Sequence, residues 1–296
     1  VRIDLHAHTS ASDGTDTPTQ LLANAAAAGL DVVAITDHDT TRGWAEAADA
    51  LPAHMTLVRG AELSCAHRPV LADGMPGQRT SLHMLAYLFD PDAPAFVAER
   101  VRLREDRRGR GQRIVERMID DGLPVTWERV SELAGEGAVG RPHIARVLVE
   151  NGVVSSVDEA FDKYLRDASR YHVPKADSDV FDAIGLILAS GGVPVFAHPR
   201  ARRRGRVVSD EAIAEFAAAG LVGLEVDHPD HTREDRDRLR ALAGELGLIV
   251  TGSSDYHGSN KTTPLGAELT DPRQYGALVA AASSPTKPLV GQPVPG

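Results

Sequence analysis

Residues 31–39 read DVVAITDHD. The apolar, β-branched run Asp31–Thr36 has the length of a buried strand and ends abruptly in Asp37-His38-Asp39. An alanine-rich stretch, Thr19–Ala28, precedes it and is closed by Gly29; a second, Thr41–Ala50, follows. The same unit recurs outward in both directions. Apolar runs predict strands at Val1–Leu5, Met55–Gly60, Leu82–Phe89, Val193–Ala197, Val222–Val226 and Leu248–Gly252. Helical stretches Asp179–Ala189, Asp210–Ala219 and Arg233–Leu246 lie among the later runs, with Gly191, Gly220 and Gly247 as helix-ending signals. Strand, helix and strand in repetition predict a parallel α/β sheet or barrel of seven strands.

The alternation breaks between Pro94 and Arg170, where the pattern is helical and no strand stands out. It resumes afterwards, so 94–170 reads as a helical insert in an α/β barrel made of 1–93 and 171–282. Segment 283–296 contains four prolines and no helical period, and an extended tail is expected.

Composition bounds the rest. The chain has 296 residues, 42% of them hydrophobic, enough for a sizeable core and too many for a disordered chain. A net charge of −10 argues against coating duplex DNA by charge alone, but leaves room for a local cationic pocket. The single cysteine, Cys65, excludes an intramolecular disulfide framework and fits a reducing compartment. No basic-then-apolar leader stands at Val1 and no uncharged apolar run reaches about eighteen residues, so a cytoplasmic protein without a membrane anchor is expected. No obligate protein partner is evident.

The predicted strands end in unusual residues. Val1–Leu5 runs into His6-Ala7-His8, whose spacing of two puts both imidazoles on one face of an extended chain, with Asp13 in the same loop. Other runs end in Thr36-Asp37-His38-Asp39, Gly60-Ala61-Glu62, Ala197-His198-Pro199 and Ser254-Asp255-Tyr256-His257. In a parallel barrel the carboxyl ends of the strands share one rim, where active sites sit. Imidazole and carboxylate there are ligands for zinc, manganese or iron, and their number points to a polynuclear metal site. His54, His67, His172 and His231 are expected to be structural, and Asp37 and Asp39 fit helix-capping or Asx-turn roles.

In this order the motifs, with His83 at the start of the fourth run, resemble the polymerase and histidinol phosphatase (PHP) family over nearly the whole chain. The resemblance implies a distorted seven-stranded β/α barrel, TIM-like, with a metal cluster at the carboxyl rim. The insert further resembles that of nucleoside 3′,5′-bisphosphate phosphatases, some relatives of which are 5′→3′ exoribonucleases of the RNase AM type. Carried over residue by residue, His6, His8, Glu62 and Asp255 hold one metal. Glu62 bridges to a second with His83 and His198, and Asp13, His38 and His257 hold a third. Two to three divalent ions are implied, manganese first, with zinc, iron or magnesium as alternatives; Asp13, where some relatives have His, favours the harder ions.

The implied activity is a metal-dependent phosphoesterase (EC 3.1) acting on a nucleotide such as a 3′,5′-bisphosphate, or trimming short RNA from its 5′ end. Water between two divalent ions loses a proton near neutral pH and attacks phosphorus in line. Glu62 and Asp255 are the expected catalytic carboxylates, and His228, after the sixth run, the proton donor to the leaving group. Cys65 is expected to be a packing residue. On the substrate side, Arg104 and Arg107 lie three apart on one predicted helix face, and Arg141 and His143 open the next helix. Lys175 stands at the exit of the insert, and Arg200 follows His198-Pro199. These six are expected to contact phosphate. The Arg202–Arg206 loop either guides a polyanion or is merely solvated. The competing readings are a histidinol-phosphate-type phosphatase and a non-catalytic metal-binding PHP module.

Overall fold

The computed structural model describes residues 1–70, 74–135, 137–166 and 169–292, with the backbone alone at Arg204. All seven predicted strands are present: β1 (Ile3–Asp4), β2 (Val32–Ile35), β3 (Thr56–His67), β4 (Thr80–Tyr87), β6 (Val193–Phe196), β7 (Gly223–Asp227) and β8 (Ile249–Gly252). They form one path in the order β1-β2-β3-β4-β6-β7-β8. The path nearly closes on itself, because Ala7 beyond β1 bridges in parallel to Tyr256 beyond β8.

Two short strands were not legible in the sequence pattern. β5 (Ser178–Asp179) and β9 (Leu289–Val290) both pair with β3. β3 runs for twelve residues, longer than its neighbours. β2 covers Thr56–Arg59 and β4 covers Gly60–His67, so each leaves part of an edge bare. β5 takes Cys65 and Ala66, and β9 takes Thr56 and Leu57. The expected tail is therefore extended but docked on the sheet through Val290; its last residues, 293–296, lie outside the described ones.

The sheet is not wholly parallel. β4 runs antiparallel to both β3 and β6, whereas all the other neighbours along the path are parallel. This reversal is the distortion in the barrel, and it moves the amino end of β4 to the rim where the other strands end.

The helices outside the barrel follow from local signals. α1 (Pro18–Ala27) starts with Pro18 at its first turn and a reciprocal cap between Thr17 and Gln20, worth about 1 kcal/mol. α2 (Gly43–Asp49) follows β2. α7 (Val180–Ala189), α8 (Asp210–Ala218) and α9 (Arg233–Leu246) alternate with β6, β7 and β8. α9 ends at Gly247 in the left-handed conformation (φ 68°), which a side chain would strain. α10 (Pro272–Ala281) follows β8, where the sequence pattern marked no helix.

The pleat sorts side chains between two cores. Leu82, Met84 and Ala86 of β4 pack outward with Phe96, Ile184, Ile213 and Phe216, while Leu85 and Tyr87 point inward with Ile3, Leu5, Val58 and Val195. By the same alternation, Ala61, Leu63 and Cys65 face outward, leaving Glu62 on the inner side. The inner plug is tied by Tyr87, whose hydroxyl donates to the Leu5 carbonyl at 2.7 Å.

Between β4 and β5 the chain is helical among the described residues. α3 (Pro94–Asp120) has twenty-seven residues, about 40 Å at 1.5 Å per residue. α4 (Trp127–Ala134), α5 (Arg141–Glu150) and α6 (Val157–Ala160), with a wide turn over Phe161–Leu165, complete it. These segments bury their own apolar cluster, drawn from residues between Ile114 and Val173, around Met118, Val130, Ile144 and Leu148. Among the described residues no helix is long and apolar enough to cross a membrane.

Candidate metal centre

All nine expected ligand side chains converge at the rim. His6 and His8 follow β1, and the turn beneath them is pinned by Asp37, which accepts from Thr9 N–H (2.8 Å), the Thr9 hydroxyl (2.7 Å) and the Ser12 hydroxyl (2.6 Å). Asp37 is thus a brace for the His8–Asp13 loop. Among the described residues, three of the five non-glycine residues with positive φ lie here: Asp39 (55°), His198 (32°) and Asp255 (50°). Such strain costs of order 1–3 kcal/mol per residue and persists only where the surroundings enforce it.

Glu62 sits at the middle. Its Oε1 lies 2.8 Å from His83 Nδ1 and 3.0 Å from His198 Nε2. Its Oε2 lies 3.0 Å from His8 Nε2 and 3.2 Å from both His6 Nε2 and His38 Nδ1. His6 Nε2 and His8 Nε2 face each other at 3.0 Å, each 3.4 Å from Asp255 Oδ1. On the far side His257 Nε2 is 3.4 Å, His8 Nδ1 3.6 Å and His38 Nε2 3.7 Å from Asp13. His8 and His38 therefore face two groups each through opposite nitrogens, a sharing that the expected division into three ligand sets did not contain.

The donor set fits divalent cations. Imidazole nitrogens and carboxylate oxygens from three groups lie within 4.8 Å of one another inside each group: His8, Asp13, His38 and His257; His6, His8 and Asp255; His38, Glu62 and His83. Burial is nearly complete for His6, His8, Glu62 and Asp255, while the His83 side chain is 19% exposed, so access is from the His83 side. His83 belongs here because β4 is antiparallel: residue 83 is paired with Ser64, two positions beyond Glu62.

The electrostatics describe carboxylates stripped of water and offset by imidazoles. Burial pushes Glu62 and Asp13 up, but His83, His38 and His6 around Glu62, and His38 and His257 around Asp13, hold both well below the usual carboxylate range. Burial alone would lower His8, yet hydrogen bonds to Asp255 and Glu62 push it up to about 9. His257 falls to about 4 through burial, with Lys261 and His8 adding to the effect.

His228 is buried beside this cluster. Its Nδ1 accepts from Asp230 N–H at 3.0 Å, which places the proton of the neutral ring on Nε2, 3.4 Å from Asp255 Oδ2. His231 shows the structural role expected of it: Nδ1 donates to the Val226 carbonyl and Nε2 accepts from Arg200 N–H.

The six residues expected to contact phosphate divide. Arg104 and Arg107 reach the rim from α3. Arg107 Nε lies 2.5 Å from Asp39 Oδ2 and its Nη2 donates to the Ser64 hydroxyl at 2.6 Å; Arg104 Nη1 donates to the Asp39 carbonyl at 2.8 Å. Lys175, largely buried, lies 4.0 Å from Asp177, and burial lowers it to about 8, against Asp177 and with Arg107 adding to the fall. Burial lowers His83 first, with Lys175 and Arg107 adding to the fall; Arg107 bonds Ser64, the residue paired with His83 across the sheet. His143 is buried, with Nδ1 accepting from Gly140 N–H at 3.0 Å, and feels the Asp13 charge. Arg141 donates to the Leu165 carbonyl at 2.6 Å and lies over the Phe161 ring at 5.4 Å, committing much of its guanidinium to the helical segment. Arg200 turns into its own loop, donating to the Val208 carbonyl at 2.6 Å and pairing with Asp210. In the basic loop, Arg202 pairs with Asp235 at 3.1 Å and Arg206 donates to Gln78 at 2.6 Å; the Arg204 side chain lies outside the described residues.

Two polar residues at the centre were missed in the sequence. Lys261 Nζ lies 2.7 Å from Asp255 Oδ2, and nothing in its local pattern marks it. Glu225 contacts His6, and there a signal existed: a carboxylate at alternate register inside the apolar run Val222–Val226.

Comparison with known proteins agrees with this geometry. A family model described as PHP domain matches residues 4–173. His198, Asp255 and His257 lie beyond that match and join the centre only through the closing of the barrel. A 3′,5′-nucleoside bisphosphate phosphatase of Chromobacterium violaceum is 32% identical over 257 residues, covering 86% of this chain and 87% of that protein. A 5′-3′ exoribonuclease of Haemophilus influenzae is 33% identical over 258 residues, covering 86% and 90%. A solved structure from Bifidobacterium adolescentis, assigned as a metal-dependent phosphoesterase, superposes with a TM-score of 0.85 at 36% identity, covering 96% of this chain and 97% of that one.

Proposed function

Because the chain belongs to the PHP domain family, we propose that it hydrolyses phosphate esters of nucleotides at the rim of its barrel, with two to three divalent cations held by the nine converging side chains. The observation that carries this reading is the Glu62 carboxylate, with five imidazole nitrogens between 2.8 and 3.2 Å from its two oxygens. No proton relay needs so many imidazoles around one carboxylate. His6, His8, Glu62 and Asp255 form the first ligand set; Glu62, His83 and His198 the second; Asp13, His38 and His257 the third. Manganese is the first choice, since Asp13 brings hard oxygen to the third set.

When bound, such cations supply Lewis acidity toward the phosphoryl oxygens and make water more acidic. The chain's own groups supply the proton transfers. Asp255 accepts the proton of the attacking water as oxygen bonds to phosphorus. His228, whose Nε2 faces the centre 3.4 Å from Asp255 Oδ2, gives the leaving oxygen its Nε2 proton as the imidazolium, returning to the neutral ring as the ester bond breaks. Lys175, Arg104 and Arg107 serve as the cations that receive the substrate, and His143 and Arg141 serve a second phosphate. The substrate class this favours is a 3′,5′-nucleoside bisphosphate or the 5′ end of short RNA. Residues 94–170 form the substrate lid, resting on the separate apolar cluster of that segment. The buried, unpaired Cys65 supports a cytoplasmic location.

A phosphate-release screen tests the reading: mononucleotides, 3′,5′-bisphosphates, short RNA and histidinol phosphate, each with added manganese and again with chelator. Metal-dependent release that is fastest from a bisphosphate or short RNA is expected. Release from histidinol phosphate alone, or none from any substrate, would overturn it.

A further inference from the structure

Glu225 is a fully buried carboxylate that the reaction above does not use. On β7 its neighbours Leu224 and Val226 pack outward against the helices, so the pleat turns Glu225 inward beneath the centre. Its oxygens serve two parts of that centre. Oε1 accepts from His6 Nδ1 at 2.9 Å and from the Ser253 hydroxyl. Oε2 accepts from the backbone N–H of His198 at 2.7 Å, at the point where the chain turns with positive φ.

An ionised carboxylate only accepts hydrogen bonds. His6 must therefore carry a proton on Nδ1, and in the neutral ring its Nε2 lone pair faces His8, Glu62 and Asp255. We infer that Glu225 is a positioning residue that sets the His6 tautomer and the His198 turn together, holding ligands of two metal sets in register. The inference rests on the metal-centre reading above and adds to it a residue outside the nine.

The substitution E225Q separates the two links. With the amide oxygen toward His6, the amide NH2 opposes the His198 N–H, donor against donor. With the amide reversed, His6 keeps a bond only by accepting at Nδ1, which moves its proton to Nε2 and into the ligand cluster. Either orientation loses one link.

The test uses the full chain. Manganese affinity is measured by competition with a chromophoric chelator for the wild type and E225Q, and the imidazole nitrogens of both are followed by NMR without metal. Outer partners of metal-binding histidines are worth about 10–100-fold in affinity. A loss of that size in E225Q is expected, with either the His6 nitrogen signals moved away from the Nδ1–H pattern of the wild type or the His198 ring signals displaced, according to the link that the amide breaks. Equal affinity in a wild type that binds manganese would overturn the inference and leave the metal reading standing. A wild type that binds no manganese would overturn both. Should E225Q fail to fold, the wild-type spectrum decides: His6 with no proton on Nδ1 would refute the inference.

Discussion

Removing Arg107 separates a strut from a substrate contact. Its guanidinium is 11% exposed and its partner Asp39 fully buried, at 2.5 Å, with a further bond to Ser64 at 2.6 Å. Asp39 also accepts from Ser64 N–H at 2.8 Å and the Ser64 hydroxyl at 3.0 Å. The network thus ties α3 to the strand that carries Glu62, two residues before Ser64. Truncating one partner of a buried pair leaves the other charge uncompensated and costs about 3–5 kcal/mol. R107A should therefore lose about that much in urea unfolding of the metal-free chain, with a fall in melting temperature on the order of 10 °C. D39N should also destabilise, and the R107A/D39N double variant should lose less than the two added together, by about 2 kcal/mol or more. A cost under about 1 kcal/mol for R107A, strictly additive with D39N, would refute the strut. Arg107 would then be a cation available to substrate alone.

Other outcomes follow from the same geometry. H228N should lower kcat on a nucleotide by about 10²–10⁴-fold, yet spare an aryl phosphate whose leaving group needs no proton; an equal loss on both would remove His228 as the acid. Lys175 loses its proton near pH 8 in place of the usual value near 10.5. The cation is present below about pH 8 and lost above it, so KM for an anionic substrate should climb through that range. K175R should flatten that rise, and an identical pH profile for both proteins would remove Lys175 from the substrate site.

Much of this was legible in the sequence, for a physical reason. Strands of a parallel sheet end on one rim, so polar residues closing apolar runs, such as His6, His38, His198 and Asp255, declare their meeting place without a structure. His83 did not, because it opens a run; only the antiparallel course of β4 brings it to the same rim. Glu225 was masked by the apolar run around it, since alternation tells inward from outward only once the strand's faces are known. The contacts of Arg200 were hidden for the opposite reason. Its place after His198-Pro199 suggested the rim, but an Asp ten residues later and a free carbonyl at Val208 hold it in its own loop. The tail showed its extended form through its prolines, yet its docking depended on the bare edge left by the unequal lengths of β3 and its neighbours.

The central claim is that Glu62 joins two metal positions. Metal content of the wild type and of Glu62→Gln, both loaded with manganese and dialysed, tests it most directly. Two to three ions per chain are expected in the wild type, and the loss of more than one in the variant, because the substitution removes the carboxylate that faces all five imidazoles. A folded variant that keeps the full wild-type complement would contradict it.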